Sequence, residues 1–217
     1  MTDGSFCKTP PVTMAAASKS KQDIVAEFRR GEILDAARTV FTSKGFRNAT
    51  IEQIAEAAGL AKGTVYLYFP SKQDVFTATL DREMNGYMQH FASLCHDGMS
   101  FREVLRALAL SLMGKMQVNK EFLLVCISDF GRYASTSSLP EPLQRFNRHL
   151  AKVLRESLNR EMEEGLIRST APPDRTIAAA ILLIKQWAIR RTVEGSRVAA
   201  EDDAEFLADV IWKGVRE

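Results

Sequence analysis

From about residue 23 onward, apolar residues recur every three or four positions, in blocks punctuated by glycine, proline and serine. No stretch alternates apolar and polar residues as a half-buried strand would. The pattern predicts helices over 23–44, 50–58, 61–67, 71–94, 101–118, 119–133, 140–164, 173–194 and 202–215. In the first, Ile24, Phe28, Leu34, Ala37, Val40 and Phe41 form a stripe expected to cover the two short helices that follow. Phe76, Leu80, Met84, Met88 and Phe91 run along the fourth. Gly98, Gly165 and Gly195 mark breaks, and Pro140 and Pro173 suit first helical turns. Asn119 favours a helix start. Residues 1–22 are rich in proline, serine, threonine and alanine and lack any apolar period, so a disordered arm is expected there. The fold class is all-α, about nine helices in all.

Within 50–72 three local signals agree. Thr50 can cap the orphan donors of a helix start, and Gln53 can reach back to complete a capping box. Ile51, Ile54, Ala55 and Ala58 give that helix one apolar face, and Gly59 stops it in a conformation that glycine adopts freely. The next short helix turns Val65 inward and leaves Lys62, Gly63, Thr64 and Tyr66 outward. A cation, a phenol, a small polar residue and a glycine suit a helix lying in a DNA major groove, where phosphates fix position and base edges specify. Phe69 then buries, Pro70 breaks the chain, and Ser71 with Asp74 starts another helix by a second capping pair.

Ile33, Ala36, Ala37, Phe41, Gly45-Phe46, Thr50, Ile54-Ala55, Ala58-Gly59, the run Lys62 to Tyr66 and the run Tyr68 to Lys72 together resemble the TetR family signature over about residues 24–85. Beyond it the resemblance is one of architecture. It implies a three-helix DNA-binding domain over 23–72 with a helix-turn-helix, and a helical ligand-binding and dimerisation domain over 73–217. The implied DNA contacts are Thr50, Lys62, Gly63, Thr64, Tyr66, Tyr68 and Lys72. Lys62 and Lys72 as solvated surface lysines, and Tyr68 as a packing residue, are the plainer alternatives; the clustering of bases and aromatics favours DNA. Two positions depart from the family pattern. Ala61 stands where a capping side chain is common, a difference of about 1 kcal/mol, and Leu67 stands where an aromatic residue often reaches the backbone.

The 217 residues suffice for a sizeable core. The formal net charge of +2 is unevenly spread: ten Lys and Arg against seven Asp and Glu in residues 1–72, a balance of +3, and nineteen against twenty in the rest, −1. The sign fits a nucleic-acid-reading end and a neutral body. Cys7, Cys95 and Cys126 are odd in number and widely spaced, so neither a disulfide framework nor a metal cage is expected. No apolar run approaches the length of a bilayer span, and no secretory signal is legible, so the chain is expected in the cytoplasm.

The body is read from its apolar surfaces. The helix over 173–194 is apolar nearly all round at its start and the last helix is rich in large apolar residues, so both are expected to pair with their copies in a homodimer through Ile181, Ile184, Ala188, Phe206, Val210 and Ile211. Met88, Phe91, Met113, Met116, Phe122, Phe130 and Trp187 are candidates to line an apolar effector site, with Gln186 or His149 as polar fixers; plain core is the other reading of each. No cofactor or metal is expected. No nucleophile, base and orienting partner stand out, so an enzyme is not expected. The reading is a DNA-binding repressor released from a palindromic operator by a small hydrophobic or amphipathic effector. The same fold as a thiol-redox sensor, or as a protein-binding co-regulator meeting its partner through Lys62 and Tyr66, stands as the alternative.

Overall fold

The computed structural model describes residues 20–130, 140–167 and 171–216. Among these residues the chain forms nine helices and no strand: α1 (Lys21–Asn48), α2 (Ile51–Ala57), α3 (Lys62–Tyr68), α4 (Lys72–Leu94), α5 (Phe101–Val118), α6 (Lys120–Phe130), α7 (Glu141–Glu163), α8 (Pro173–Glu194) and α9 (Ala200–Arg216). The expected elements are all present, with small shifts at their ends. Ser20 caps α1 with a full capping box to Asp23. Asn119 closes α5 instead of opening α6, its N–H donating to the Lys115 carbonyl at 3.0 Å. The expected arm before residue 20, and residues 131–133 of the expected sixth helix, lie outside the described residues.

The described residues gather into two compact units, and the division falls within α4. The first unit holds α1, α2, α3, α4 up to Met84, and the described part of Glu121–Gln144. Its core is aromatic. Phe76 meets Phe41 and Phe46 edge-on at 5.2 Å and 5.0 Å, and the tilted ring of Phe122 at 6.1 Å, between ring centroids, inside a cluster that includes Ile33, Ala37, Ile54, Val65 and Phe69. The apolar stripe of α1 works only in part. Ile33, Ala36, Ala37, Val40 and Phe41 are buried, whereas Ile24 and Phe28 are 55% and 64% exposed. A helix of 28 residues runs about 42 Å at 1.5 Å per residue, and two seven-residue helices are too short to cover it.

The end of α1 is bent and then clamped. Gly45 takes φ 75°, ψ 164° inside the helix, a conformation open to glycine and strained for residues with a Cβ. The break brings Phe46 back to the rings of Phe41 and Phe76. The carbonyls left beyond the break are met from α4: Lys72 Nζ donates to the carbonyls of Phe46 at 2.8 Å, Arg47 at 3.2 Å and Ala49 at 2.8 Å. The ammonium also lies 4.7 Å from the centroid of the Phe46 ring. A cation at a helix C-terminus opposes the negative end of the helix dipole and satisfies its orphan acceptors together.

The second unit holds Asn85–Lys120 and the described part of Arg145–Glu217. Here α5 packs against both α8 and α9, burying Phe101, Val104, Leu105, Leu108, Leu112 and Met113. Arg102 ties α5 to α9 through Glu205 and through Asp209 at 2.6 Å, and Arg106 adds a 2.8 Å contact to Glu205. Buried Glu161 on α7 accepts the Phe101 N–H at 2.7 Å, meeting an orphan donor in the first turn of α5. His149 on α7 is half-buried. Burial first, then the neighbouring Lys152 charge, push its pKa below the ordinary imidazole value, with Glu156 acting the other way.

Two predictions follow from these placements. Lys72→Met, which strands three carbonyls at a half-buried helix end, lowers unfolding free energy by about 1–2 kcal/mol in urea titrations, while Lys62→Met at an exposed site leaves the midpoint unchanged; equal effects of the two would contradict the clamp. For His149 the folded protein binds its proton less readily than the unfolded chain. Stability from this group is therefore complete above the unfolded pKa of about 6.5 and is lost as pH falls toward the lowered folded pKa. Thermal melts from pH 7.5 to 5.5 should show a smaller acid loss in His149→Gln than in the wild type.

Candidate nucleic-acid interface

The pairing of α2 and α3 is built from local chemistry. Thr50 Oγ1 accepts the Gln53 N–H at 3.3 Å while Gln53 Oε1 accepts the Thr50 N–H at 3.2 Å, the full capping box expected at this start. At the other end Gly59, at φ 66°, lets the Leu60 N–H reach the Ala55 carbonyl at 2.8 Å and its own N–H reach the Glu56 carbonyl at 3.0 Å. These two bonds make a Schellman ending. Ser71 and Asp74 form the second capping pair, the Asp74 N–H donating to Ser71 Oγ at 3.1 Å.

Helix α3 is seven residues long and has no side-chain cap at Ala61, so tertiary contacts must hold it. Val65 and Phe69 are buried, 0% and 2% exposed. Arg30 of α1 supports the far end: its Nη1 donates to the Tyr68 carbonyl at 2.9 Å, and its guanidinium lies 4.3 Å from the centroid of the Phe69 ring. With one edge fixed inward, the other positions differ in how far they face solvent. Lys62, Gly63, Tyr66 and Leu67 are exposed, with Tyr66 at 44% and Leu67 at 83%; Thr64 and Tyr68 are half-buried. Thr50 is exposed as well.

The Lys62 ammonium is ion-paired with Glu52 of α2 and sits 5.8 Å from the Tyr66 ring centroid. The hydrogen bond from Lys62 holds the Glu52 carboxyl below its ordinary pKa, and the same bond holds the lysine above its own. Lys62 is therefore charged throughout the physiological range. Because the pair is exposed, water screens it, and a phosphate can take the ammonium in exchange. Lys44 and Arg47, on the last turns of α1, add exposed cations.

Of the residues expected to contact DNA, Thr50, Lys62, Gly63, Thr64, Tyr66 and Tyr68 all belong to this α2–α3 pair. Lys72 stands apart, its ammonium directed at the end of α1. Sequence reasoning missed one contribution. Arg30 holds the C-terminus of α3 from 38 positions away, which no local pattern signals. Leu67 is the most exposed large apolar side chain among the described residues, and its outward position was visible from the period alone.

In the second unit, Phe91, Met113 and Met116 are buried, Met88 is half-buried, and half-buried Trp187 lies 5.5 Å from the Phe206 ring. Phe122 needs correction as a member of that effector set. It belongs to the first unit, where it packs on Phe76. The Phe130 side chain lies outside the described residues. Of the polar fixers, Gln186 is exposed. The expected dimer face also needs correction. Ile184 and Ala188 are 0% exposed and Ile211 is 9% exposed, so they fill the protomer's own core, whereas Phe206 and Val210 are 52% and 46% exposed. Ile181 is half-buried. On α8 the outward large apolar residues are instead Leu182, Leu183 and Val193. Residues 177, 180, 184, 188 and 192 make the inward stripe, and a helix apolar on most sides gives no sign of which stripe faces in.

Residues 33–79 match the family described as bacterial regulatory proteins, tetR family. Over 208 residues the chain is 24% identical to the HTH-type transcriptional repressor KstR2 of Rhodococcus jostii, covering 95% of this chain and 97% of that one. The fold is shared with the fatty acid degradation regulator FadR from Bacillus halodurans (TM-score 0.70, 20% identity, 87% of this chain and 97% of that chain). It is shared equally with FadR from Bacillus subtilis, solved in complex with stearoyl-CoA (TM-score 0.70, 17% identity, 85% and 98%). Centred on the α2–α3 pair, residues 33–79 are the amino-terminal domain of the tetR family of bacterial regulatory proteins, set in an all-helical fold shared with these regulators.

Proposed function

We propose that this regulator is a repressor whose α3 lies in the major groove of a two-fold operator, and that a small hydrophobic or amphipathic molecule bound in the second unit releases it. The observation that carries the DNA half is the outward set Lys62, Gly63 and Tyr66 on a helix pinned by buried Val65 and Phe69. Gly63 adds no side chain between backbone and groove. Lys62 and Tyr66 serve phosphates, and Thr64, half-exposed between them, is placed at a base edge. Lys72 acts by fixing the loop before Thr50. The effector half draws on the repressor name of the Rhodococcus jostii relative and on the stearoyl-CoA held by the Bacillus subtilis FadR. Such a molecule acts only through unequal affinity for two arrangements of the protein.

The dimer in this proposal uses Leu182, Leu183, Phe206 and Val210. Together they leave too much apolar surface for a lone exposed helix pair, and a two-fold contact matches an operator with half-sites about 34–36 Å apart. Leu182→Glu with Phe206→Glu should shift the mass measured by sedimentation from dimer to monomer without unfolding the chain; an unchanged dimer would place the interface elsewhere.

Genomic fragments retained by the protein supply the operator for a direct test. Lys62→Ala should weaken binding across all retained sequences and reduce the slope of log affinity against log salt by about 1. Thr64→Val should instead reorder preference among them, by about 1–3 kcal/mol at one base position. Salt-independent binding unaffected by either change would remove the DNA-reading assignment and leave a protein partner as the alternative.

A further inference from the structure

Several cations of the second unit meet carboxylates. Arg102 and Arg106 face Glu205, Arg155 faces Asp174, and Arg191 faces Asp203. Lys185, half-buried on α8, does not. Its Nζ donates to Asn147 Oδ1 on α7 at 3.0 Å, and among the described residues this neutral oxygen is its one protein partner. An ammonium carries three donors. Burial pushes the lysine pKa below its ordinary value, and among the described residues no neighbouring charge offsets the effect.

A lysine stem is long enough to carry its head to water, yet this one reaches across to another helix. Holding an ammonium there against a single amide is unfavourable unless another charge joins it, and charges in such settings concentrate at recognition sites. Several residues that flank the two positions along their helices are apolar. Phe146, next to Asn147, is 4% exposed and its ring lies 6.0 Å from that of Tyr87. Leu150 stands one turn along α7 and is fully buried; on α8, fully buried Ile184 precedes the lysine and half-buried Ile181 stands one turn back.

We propose that Lys185 and Asn147 form an anion-binding pair for the carboxylate or phosphate end of an amphipathic small molecule whose apolar part lies along α7 and α8. The ammonium supplies charge and spare donors, and the Asn147 amide nitrogen is a further donor beside it. Anionic oxygens accept from both and replace the missing counter-charge. The inference rests on the reading of this unit as the effector-binding part. A purely architectural Lys185–Asn147 bridge makes a different prediction, because its loss would loosen α7 against α8 and leave ligand preference untouched.

The test titrates the full chain with decanoate, decanoyl-CoA and decanol, following the fluorescence of Trp187, two positions beyond Lys185. The wild type should bind at least one anion about tenfold more tightly than decanol, the ratio that 1.4 kcal/mol produces. Lys185→Met should bind all three alike and melt at or above the wild type, while Lys185→Arg should keep the preference and Asn147→Leu should reduce it. Tighter decanoate assigns the pair to a carboxylate and tighter decanoyl-CoA to a phosphate; either supports it. Equal binding of anion and alcohol by the wild type overturns the pair while leaving the effector reading intact. A Lys185→Met protein that keeps the preference also overturns it. Binding of none of the three removes the effector reading together with the pair.

Discussion

A seven-residue helix does not persist by itself in water, because the cost of nucleating it exceeds what so few hydrogen bonds return. The proposed DNA-reading face depends on how α3 escapes that limit. Val65 and Phe69 insert into the aromatic core around Phe76, and Arg30 holds the last turn by its carbonyl. The same burial that stabilises the helix fixes its rotation about its axis. Once Val65 points inward, a period of 3.6 residues turns Gly63 to the opposite side and Tyr66 to the flank, while Lys62, at the first turn of α3, carries its ammonium out to Glu52 and water. Stability of α3 and exposure of its outer face are thus linked.

Lysines show how differently one residue type is used across this chain. Lys62 sits in water against Glu52, where the ion pair contributes little to stability and is easily exchanged. Lys72 has three backbone carbonyls and an aromatic face, and its removal would strand acceptors. Among the described residues Lys185 has only an amide oxygen. Charge alone distinguishes none of them; the number and nature of the acceptors does.

Local devices were legible in the sequence because their partners lie within a few residues. The Thr50–Gln53 box, the Gly59 ending and the Ser71–Asp74 pair all formed as their spacing implied. Long-range assignments were less so. Lys72 reaches back 23 to 26 positions and Arg30 forward 38, and neither partner carries a side-chain signal, since each is a backbone carbonyl. Ile24 and Phe28 continued an apolar period past the point where any short helix was left to cover it. On α8 the difficulty was the opposite: with apolar residues on most faces, the period could not separate Ile184 and Ala188, which fill the core, from Leu182 and Leu183, which do not. Phe122 joined the first unit because of packing that only the fold reveals.

The outward face of α3 is the claim on which the functional account turns, and amide hydrogen exchange of the full chain with and without its recovered operator measures it most directly. Exchange should slow from Thr50 through Tyr68, with the slowing reversed at high salt and the buried core of α5 unchanged. Protection spread over other surfaces, with none in α2 or α3, would contradict it.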